Sequence, residues 1–403
     1  MHGDTPTLGD VIRRFGPALL ARSGAGVTPA QRAVLTSLER CHTAALGGHL
    51  YRCDACGAEV PAYNGCGNRH CPSCLGHKSA QWLQARAAEL LPVPYFHVVF
   101  TVPAEVAALA LGNKKVVYSI LLRAAAETLL EVAANPEHLG ADIGFLAILH
   151  TWTQTLLHHP HVHCVVPGGG LAPDGARWVP SRDNFFLPVR VLACVFRGKF
   201  LAALRKAEQT GALRFAGATA DLATPAGFAA FLGAQQQRPW VVYAKAPFGS
   251  PEQVLKYLAR YTHRVAISDR RLVSVDAEGV TFRHRDNATG GQKSMTLDGV
   301  EFLRRFLLHV LPTGLVRIRY YGLLANRERA ENLKRCRALL GSSGPTESTP
   351  SKREAAELPP TGADDRSRCK VCGVGQVHHV GPLAPVPDPH GGTPRTPTPR
   401  DTS

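Results

Sequence analysis

Apolar positions at helical spacing predict several helices along the chain. Residues 8–46 indicate two helices. The second is expected to begin near Thr28-Pro29, because threonine caps a helix well and proline suits its first position. Further helices are predicted over 78–91, 104–133, from residue 250 onward, 298–310 and 325–340.

Short runs rich in β-branched and aromatic residues predict strands at 97–102, 145–152, 161–166 and 240–244. The runs at 145–152 and 161–166 are expected to pair as a hairpin. A second hairpin is predicted from 272–275 and 280–283, which flank an Asp-Ala-Glu-Gly turn. Strands and helices mix without a regular βαβ alternation, so the predicted fold class is α+β.

Length and composition suggest how these elements are grouped. A chain of 403 residues, 45% of them apolar, can bury two or three domains. Beyond Gly341, eleven prolines accompany Ser, Thr and Gly, with few large apolar residues. We therefore expect a helical, cysteine-rich domain over 1–91, a larger α+β domain over 92–340, and a mostly disordered tail over 341–403.

The charge is concentrated in the part predicted to fold. The formal net charge is +15 and the pI about 9.6, whereas residues 341–403 carry seven basic and seven acidic side chains. A basic folded body suits a polyanion such as DNA. The alternative is the arginine-rich composition that a GC-rich genome produces. With neither an export-signal pattern nor an apolar run of about 20 residues, the protein is expected to be soluble and intracellular.

Two Cys-x2-Cys pairs predict a structural zinc site. Cys53 and Cys56 are separated from Cys71 and Cys74 by fourteen residues, a spacing that favours one four-thiolate shell. A filled shell has no open position for a substrate, so this zinc would stabilise the fold. Because Arg52, Arg69 and Lys78 lie nearby in the sequence, a DNA-binding role of this domain is the alternative to a purely structural one. Neighbouring residues could instead form a second metal site or replace one of these four ligands. They are Cys41, His42, His49, Cys66, His70 and His77. Cys369-x2-Cys372, followed by His378 and His379, is a further candidate site.

A second candidate metal site lies on the predicted hairpin. Side chains alternate along a strand, so His161 and His163 face the same way, where two imidazoles can hold a divalent ion. The third ligand is expected to be His150, with Gln154 and His159 as competitors. The triple glycine that follows at 168–170 would let a ligand approach closely. The alternative is a pair of histidines on an exposed strand.

Two tyrosines share one face of the helix predicted from residue 250. Its start, Ser250-Pro251-Glu252-Gln253, is a capping box with proline at the first position. Tyr257 and Tyr261 lie four residues apart at the edge of an apolar stripe that includes Val254. Arg260 and Arg264 lie just beyond Tyr257 and could hold a phosphate. The alternative is that both tyrosines complete a core.

Taken together, these segments resemble the HUH superfamily of single-strand DNA nucleases, and within it the insertion sequence 91 family of rolling-circle, two-tyrosine transposases. The resemblance covers nearly all of residues 30–340. It rests on the following segments in the family's order: the cysteine and histidine residues of 41–74, Phe100-Thr101-Val102-Pro103, His158 to His163, Tyr257 to Arg264, and Tyr321 to Asn326.

The resemblance implies a DNA-binding zinc domain followed by an HUH-type catalytic domain, in which helices flank a central antiparallel sheet. It implies Mg²⁺ or Mn²⁺ on His161, His163 and His150, and attack by Tyr257 or Tyr261 that leaves a 5′-phosphotyrosine. Arg260 and Arg264 would hold the phosphate. The implied partners are single-stranded element ends, target DNA and host helicase or replication factors, at the nucleoid in a bacterial cytoplasm. Two alternatives are a non-enzymatic zinc-ribbon DNA-binding protein and a hydrolase that uses water.

Overall fold

The computed structural model describes residues 5–23, 26–248, 253–254, 266–286, 289–341 and 368–386. Its helices are α1 (Leu8–Ser23), α2 (Pro29–Glu39), α3 (Pro72–Ala87), α4 (Ala104–Gly112), α5 (Lys114–Ala134), α6 (Val189–Gln209), α7 (Pro225–Gln237), α8 (Gly299–Leu308) and α9 (Arg329–Leu339). Its strands are β1 (Gly48–Cys53), β2 (Glu59–Tyr63), β3 (Tyr95–Thr101), β4 (Gly144–Trp152), β5 (His158–Pro167), β6 (Gly169–Leu171), β7 (Trp178–Pro180), β8 (Val241–Phe248), β9 (Leu272–Val275), β10 (Val280–Arg285), β11 (Gln292–Leu297), β12 (Ile318–Gly322) and β13 (Val377–Leu383). The α+β class is confirmed.

A five-stranded antiparallel sheet lies at the centre of the molecule, in the order β12-β4-β5-β3-β8. Alternate residues such as Val98, Phe100 and Val162 point to one face and pack against α4, α5 and α6. The opposite face carries Leu146 and Ile148 in a smaller buried cluster. Because both faces are covered, β4 is buried along almost its whole length. The predicted hairpin of β4 and β5 is confirmed.

A second core joins the two N-terminal helices to a later part of the chain. Leu8 and Ile12 of α1 lie in one buried cluster with Phe282 of β10 and with Phe302 and Phe306 of α8. Helix α2 begins as predicted, with Thr28 and Gln31 forming a capping box and Pro29 in the first turn. The helices of 8–39 therefore share their core with residues beyond 266, across the expected boundary at residue 91.

A small sheet, β13-β1-β2, holds the last described segment of the chain. Strand β13 pairs antiparallel with β1, from Gly48 opposite Leu383 to Cys53 opposite Val377. Residues 368–386 are thus folded onto the N-terminal third of the protein, a pairing that composition alone did not indicate. No helix among the described residues is both long enough and apolar enough to cross a bilayer.

Candidate functional site

Three histidines converge on one face of the central sheet. The β4–β5 register places His150 directly opposite His161, and His163 follows two residues later on the same side. One ring nitrogen from each of the three lies within 4.8 Å of the others. His150 and His163 are buried, and His161 is partly buried. The structure therefore brings together the three residues proposed as metal ligands.

Hydrogen bonds fix which nitrogen of His161 carries the proton. Its Nδ1 lies 2.6 Å from the backbone oxygen of His159. A carbonyl oxygen only accepts hydrogen bonds, so Nδ1 donates and Nε2 keeps its lone pair. A backbone carbonyl that holds Nδ1–H in this way is a common outer partner of a metal-bound histidine. Burial also lowers the pKa of His161 to about 4, which keeps the ring in the neutral, ligating form.

A fourth histidine, His97 of β3, supports the cluster from the side. Its Nε2 lies 2.7 Å from Nδ1 of His163, and the two rings are nearly parallel, at an interplanar angle of 3°. Burial, and then the charge of Lys245, lowers the pKa of His97 to about 4. Burial likewise holds the pKa of His163 well below its usual range. This contact could not be predicted from the sequence, which indicates a strand at His97 but does not reveal that β3 pairs with β5.

The other polar residues of the hairpin have different positions. Gln154 lies exposed in the turn after β4, where its backbone oxygen accepts a hydrogen bond from Arg271. His159 contributes its carbonyl to His161 and stands outside the three-histidine group. His158 points to the opposite face, where its Nε2 lies 2.8 Å from the hydroxyl of Tyr118. Of the alternatives for the third ligand, His150 is the one that the fold places beside the pair.

The triple glycine has a structural reason that differs from the expected one. A side chain at Gly169 or Gly170 would overlap backbone atoms of Val179 or Asp142, respectively. Gly169 also has a φ of 144°, which disfavours other residues. These glycines allow neighbouring segments of the protein to pack closely, so they carry no argument for a bound ligand.

The two tyrosines and both adjoining arginines, Tyr257, Tyr261, Arg260 and Arg264, lie outside the described residues. Just before them, Gln253 and Val254 are helical. Val254 is 1% exposed and packs in the cluster on the histidine-bearing face of the sheet, which includes Ile148 and Val165. In the β4–β5 register, Ile148 is the residue opposite His163. Val254, three residues before Tyr257 in the sequence, is therefore packed on the face of the sheet that carries the histidines.

Eight of the eleven cysteines form two four-thiol groups, in place of the single shell that the spacing favoured. Each Cys-x2-Cys pair has a different partner from the one expected. Cys71 and Cys74 lie with Cys41 and Cys66, whereas Cys53 and Cys56 lie with Cys369 and Cys372. The prediction of a single shell of Cys53, Cys56, Cys71 and Cys74 was wrong. Spacing identifies a turn that presents two thiols, but it does not identify the second turn that faces it.

Distances within the groups fit a tetrahedral metal site. Zinc–sulfur bonds of about 2.3 Å imply sulfur–sulfur edges of about 3.8 Å. In the first group, the Sγ atoms of Cys41 and Cys74, and of Cys41 and Cys71, lie 3.5 Å apart, and those of Cys66 and Cys74 lie 3.8 Å apart. His70, a candidate ligand, is instead held in the fold, because its Nε2 accepts a hydrogen bond from the backbone of Leu311. Arg69 likewise donates to the carbonyl oxygens of Leu315 and Pro312.

Comparison with known proteins shows which family the chain belongs to. A family model described as a transposase zinc-binding domain matches residues 11–102, and one described as a putative transposase matches residues 144–332. The chain is 50% identical over 375 residues to the putative transposase y4qJ of Sinorhizobium fredii, covering 92% of this chain and 94% of the relative. It is 27% identical over 347 residues to the transposase for insertion sequence element IS801 of Pseudomonas savastanoi pv. phaseolicola, covering 85% and 82%. No solved structure matches the chain.

The two matched family models and the 50% identity to y4qJ over nearly the whole chain identify the protein as a transposase with an N-terminal zinc-binding domain. The chain belongs to the insertion sequence 91 family of transposases, as its resemblance in sequence predicted. The matched zinc-binding domain supports structural zinc in this protein, and so do the two four-thiol groups, each of which includes cysteines from that domain.

Proposed function

We propose that this transposase nicks and rejoins single-stranded DNA at element ends through a tyrosine nucleophile, in support of rolling-circle transposition. The observation that carries the proposal is the convergence of His150, His161 and His163 beside the anchored residue Val254. Tyr257 follows Val254 by three residues, which would advance about 4.5 Å along the helix that the sequence predicts. Tyr261 would lie one turn further, on the same side.

The three histidines fit a divalent ion such as Mg²⁺ or Mn²⁺. Their ligand atoms lie within 4.8 Å of one another, and the proton on Nδ1 of His161 leaves Nε2 as its ligand atom. An ion held there would supply Lewis-acid stabilisation of charge on the scissile phosphate.

The tyrosine carries the covalent step of the proposed reaction. The phenolic oxygen of Tyr257 or Tyr261 attacks phosphorus, and its proton is lost to solvent or a nearby base. The bond from phosphorus to the 3′ oxygen breaks, and that oxygen takes up a proton as the free 3′ hydroxyl. The 5′-phosphotyrosine retains a phosphodiester linkage, so attack by a 3′ hydroxyl can rejoin the strand without ATP. Two tyrosines would allow donor cleavage and strand transfer to alternate, while Arg260 and Arg264 hold the phosphate.

An exposed edge beside the histidines fits single-stranded DNA. Across β5, β3 and β8, the paired residues His163, Val99 and Tyr243 lie in one row, so their side chains point to the same face. Tyr243 is 55% exposed, and Lys245, two residues later, is also exposed on that side. An exposed ring can stack on a base and a lysine can contact a phosphate. The strand to be cut would therefore approach along β8.

His97 is proposed as a positioning residue for the metal site. If His163 donates from Nδ1 to Nε2 of His97, then Nε2 of His163 faces the other two ligands in its unprotonated form. The 2.7 Å distance and the burial of both rings support this arrangement. Outer partners of this kind orient the ligand ring and raise its basicity.

The first thiol group is proposed to hold the structural zinc of the matched domain. Cys41 follows α2, while Cys71 and Cys74 lie at the start of α3, so an ion on these residues and Cys66 would join the two helices. Cys71 also belongs to the core shared by α1 and α8, and the hydroxyl of Ser73 donates to Asp269 at 2.6 Å. The zinc would stabilise the core that α1 and α2 share with α8.

A covalent-adduct assay tests the proposal. Labelled single-stranded element ends are incubated with protein and Mn²⁺, and denaturing gels then reveal protein-linked DNA. Wild type should form the adduct, and Tyr257→Phe/Tyr261→Phe should form none while still binding the strand. His163→Ala should also lose cleavage yet keep binding, since phosphate contacts elsewhere supply affinity.

Each other outcome contradicts the proposal in a distinct way. Cleavage by wild type without an adduct would point to a hydrolase that uses water. Binding by wild type without cleavage would point to a non-enzymatic DNA-binding protein. An adduct in the double phenylalanine variant would place the nucleophile elsewhere.

A further inference from the structure

The second thiol group brings together two cysteine pairs from opposite parts of the chain. Cys53 and Cys56 form a turn at the end of β1, and Cys369 and Cys372 form a turn before β13. The Sγ atoms of Cys53 and Cys372 lie 3.8 Å apart, as do those of Cys56 and Cys369, which are separated by 313 residues in sequence. All four sulfurs lie within 4.8 Å of one another.

These distances indicate a metal shell rather than disulfide bonds. A disulfide requires about 2.05 Å between sulfurs, whereas four thiolates around a zinc ion lie about 3.8 Å apart along the edges of a tetrahedron. Backbone amides also point at the thiols, as expected for groups that carry negative charge. The N–H of Val371 donates to Sγ of Cys369, and that of Gly375 to Sγ of Cys372, both at 3.4 Å.

Two hydrogen bonds hold the two cysteine-bearing turns against each other. The N–H of Gln376 donates to Oδ1 of Asp54 at 2.8 Å, and the N–H of Asp54 donates to the carbonyl oxygen of Gln376 at 3.0 Å. Gly375 packs so closely that a methyl group there would overlap the sulfur of Cys53. This close contact explains why glycine occupies position 375.

Apolar burial contributes little to holding this segment in place. None of the four buried apolar clusters found in the described residues includes a residue from 368–386. Val371, Val374 and Val380 are 69%, 80% and 49% exposed. By contrast, Cys53 and Cys369 are 2% and 1% exposed. Segments with so little core depend on another link, and a bound metal is a common one.

We infer that Cys53, Cys56, Cys369 and Cys372 bind a second structural zinc ion, which ties the C-terminal segment 368–386 to β1. The matched zinc-binding domain, residues 11–102, contains only the first of these two pairs. The site is therefore completed by a part of the chain that lies outside that domain. It would hold the sheet β13-β1-β2 together and keep residues 368–386 beside the N-terminal region.

Zinc content of the full-length protein tests this inference. Protein purified under reducing conditions should contain two zinc ions per chain by elemental analysis. Cys369→Ser/Cys372→Ser should contain one, and so should Cys53→Ser/Cys56→Ser. Amides of 377–383 should then exchange hydrogen much faster in both variants, while those of α5 stay protected. Cys194→Ser is the matched control, because Cys194 is exposed and belongs to neither group, and it should keep two ions.

Several results would overturn the inference. They are a single zinc ion in wild type that both double variants keep, two ions in either double variant, and unchanged exchange in 377–383 after the loss of one ion. A variant with disturbed folding would show faster exchange in α5 as well, and the other double variant then decides the question. Metal content is read without DNA, so failure of the tyrosine mechanism leaves this test unaffected.

Discussion

Nε2 of His97 lies 2.7 Å from Nδ1 of His163, and this contact links two strands of the central sheet on its histidine-bearing face. Both rings are buried, and burial lowers the pKa of each. A hydrogen bond between two neutral imidazoles has one N–H donor and one unprotonated acceptor nitrogen, so the tautomer of one ring sets the tautomer of the other. The contact thereby decides which nitrogen of His163 is available to the cluster.

Loss of this contact should weaken metal binding more than it weakens the fold. His97→Ala is expected to lower the affinity for Mn²⁺, measured from the metal dependence of cleavage, by about 10- to 100-fold. Excess metal should restore most of the rate. His97→Gln keeps a side-chain acceptor near the same position and should retain more affinity. If both variants lose cleavage equally at all metal concentrations, His97 has a different role.

The third ligand can be tested with two residues of one hairpin. His150 lies opposite His161, whereas Gln154 is exposed in the turn that follows β4. His150→Ala should therefore reduce cleavage by more than the roughly 10- to 100-fold loss typical of an outer partner. Gln154→Ala should leave cleavage within about twofold, because the link to Arg271 uses its backbone oxygen. The reverse order of effects would exclude His150 as the ligand.

The exposed edge of β8 gives a prediction about DNA affinity. Stacking of one base on an aromatic side chain contributes about 1–3 kcal/mol, so Tyr243→Ala should weaken binding of single-stranded DNA by roughly five- to 150-fold. Tyr243→Phe keeps the ring and should bind nearly as well as wild type. Val273→Ala removes another exposed apolar side chain, from β9, and serves as the surface control. Fluorescence anisotropy with a labelled strand measures all three, and unchanged affinity for Tyr243→Ala would remove β8 from the proposed path.

Local pattern was sufficient to predict much of the histidine site. The alternation of His161, Val162 and His163 identifies the face of β5, and the short connection to β4 makes His150 a neighbour. The capping box at Thr28 is equally local. In each case, the interacting residues lie within a few positions of one another or on two consecutive strands.

Contacts between distant segments could not be predicted in the same way. Spacing identified Cys53-x2-Cys56, but its partner pair lies more than 300 residues away and depends on the pairing of β13 with β1. The neighbourhood of His97 and His163 likewise depends on the order of strands in the sheet. Helices α6 and α7 were also missed, although α6 places Phe196 and Phe200 in the main core.

Replacement of glycine by alanine is expected to change stability in opposite directions at two positions. One is Gly299, in the core that α1 and α8 share, and the other is Gly198, on the surface of α6. Gly299, at the start of α8, faces the ring of Phe15 in α1, and a methyl group there would overlap that ring. Gly299→Ala should therefore lower the free energy of unfolding by about 1–3 kcal/mol, the usual cost of overpacking. Gly198 lies exposed within α6, and a methyl group there would meet nothing within 4 Å. Gly198→Ala should raise the stability by about 0.5–1 kcal/mol, since alanine loses less conformational entropy in a helix. Urea unfolding followed by far-UV circular dichroism measures both midpoints. A lower midpoint for Gly299→Ala alone would support the packing of α1 on α8, and equal stabilisation by both changes would contradict it.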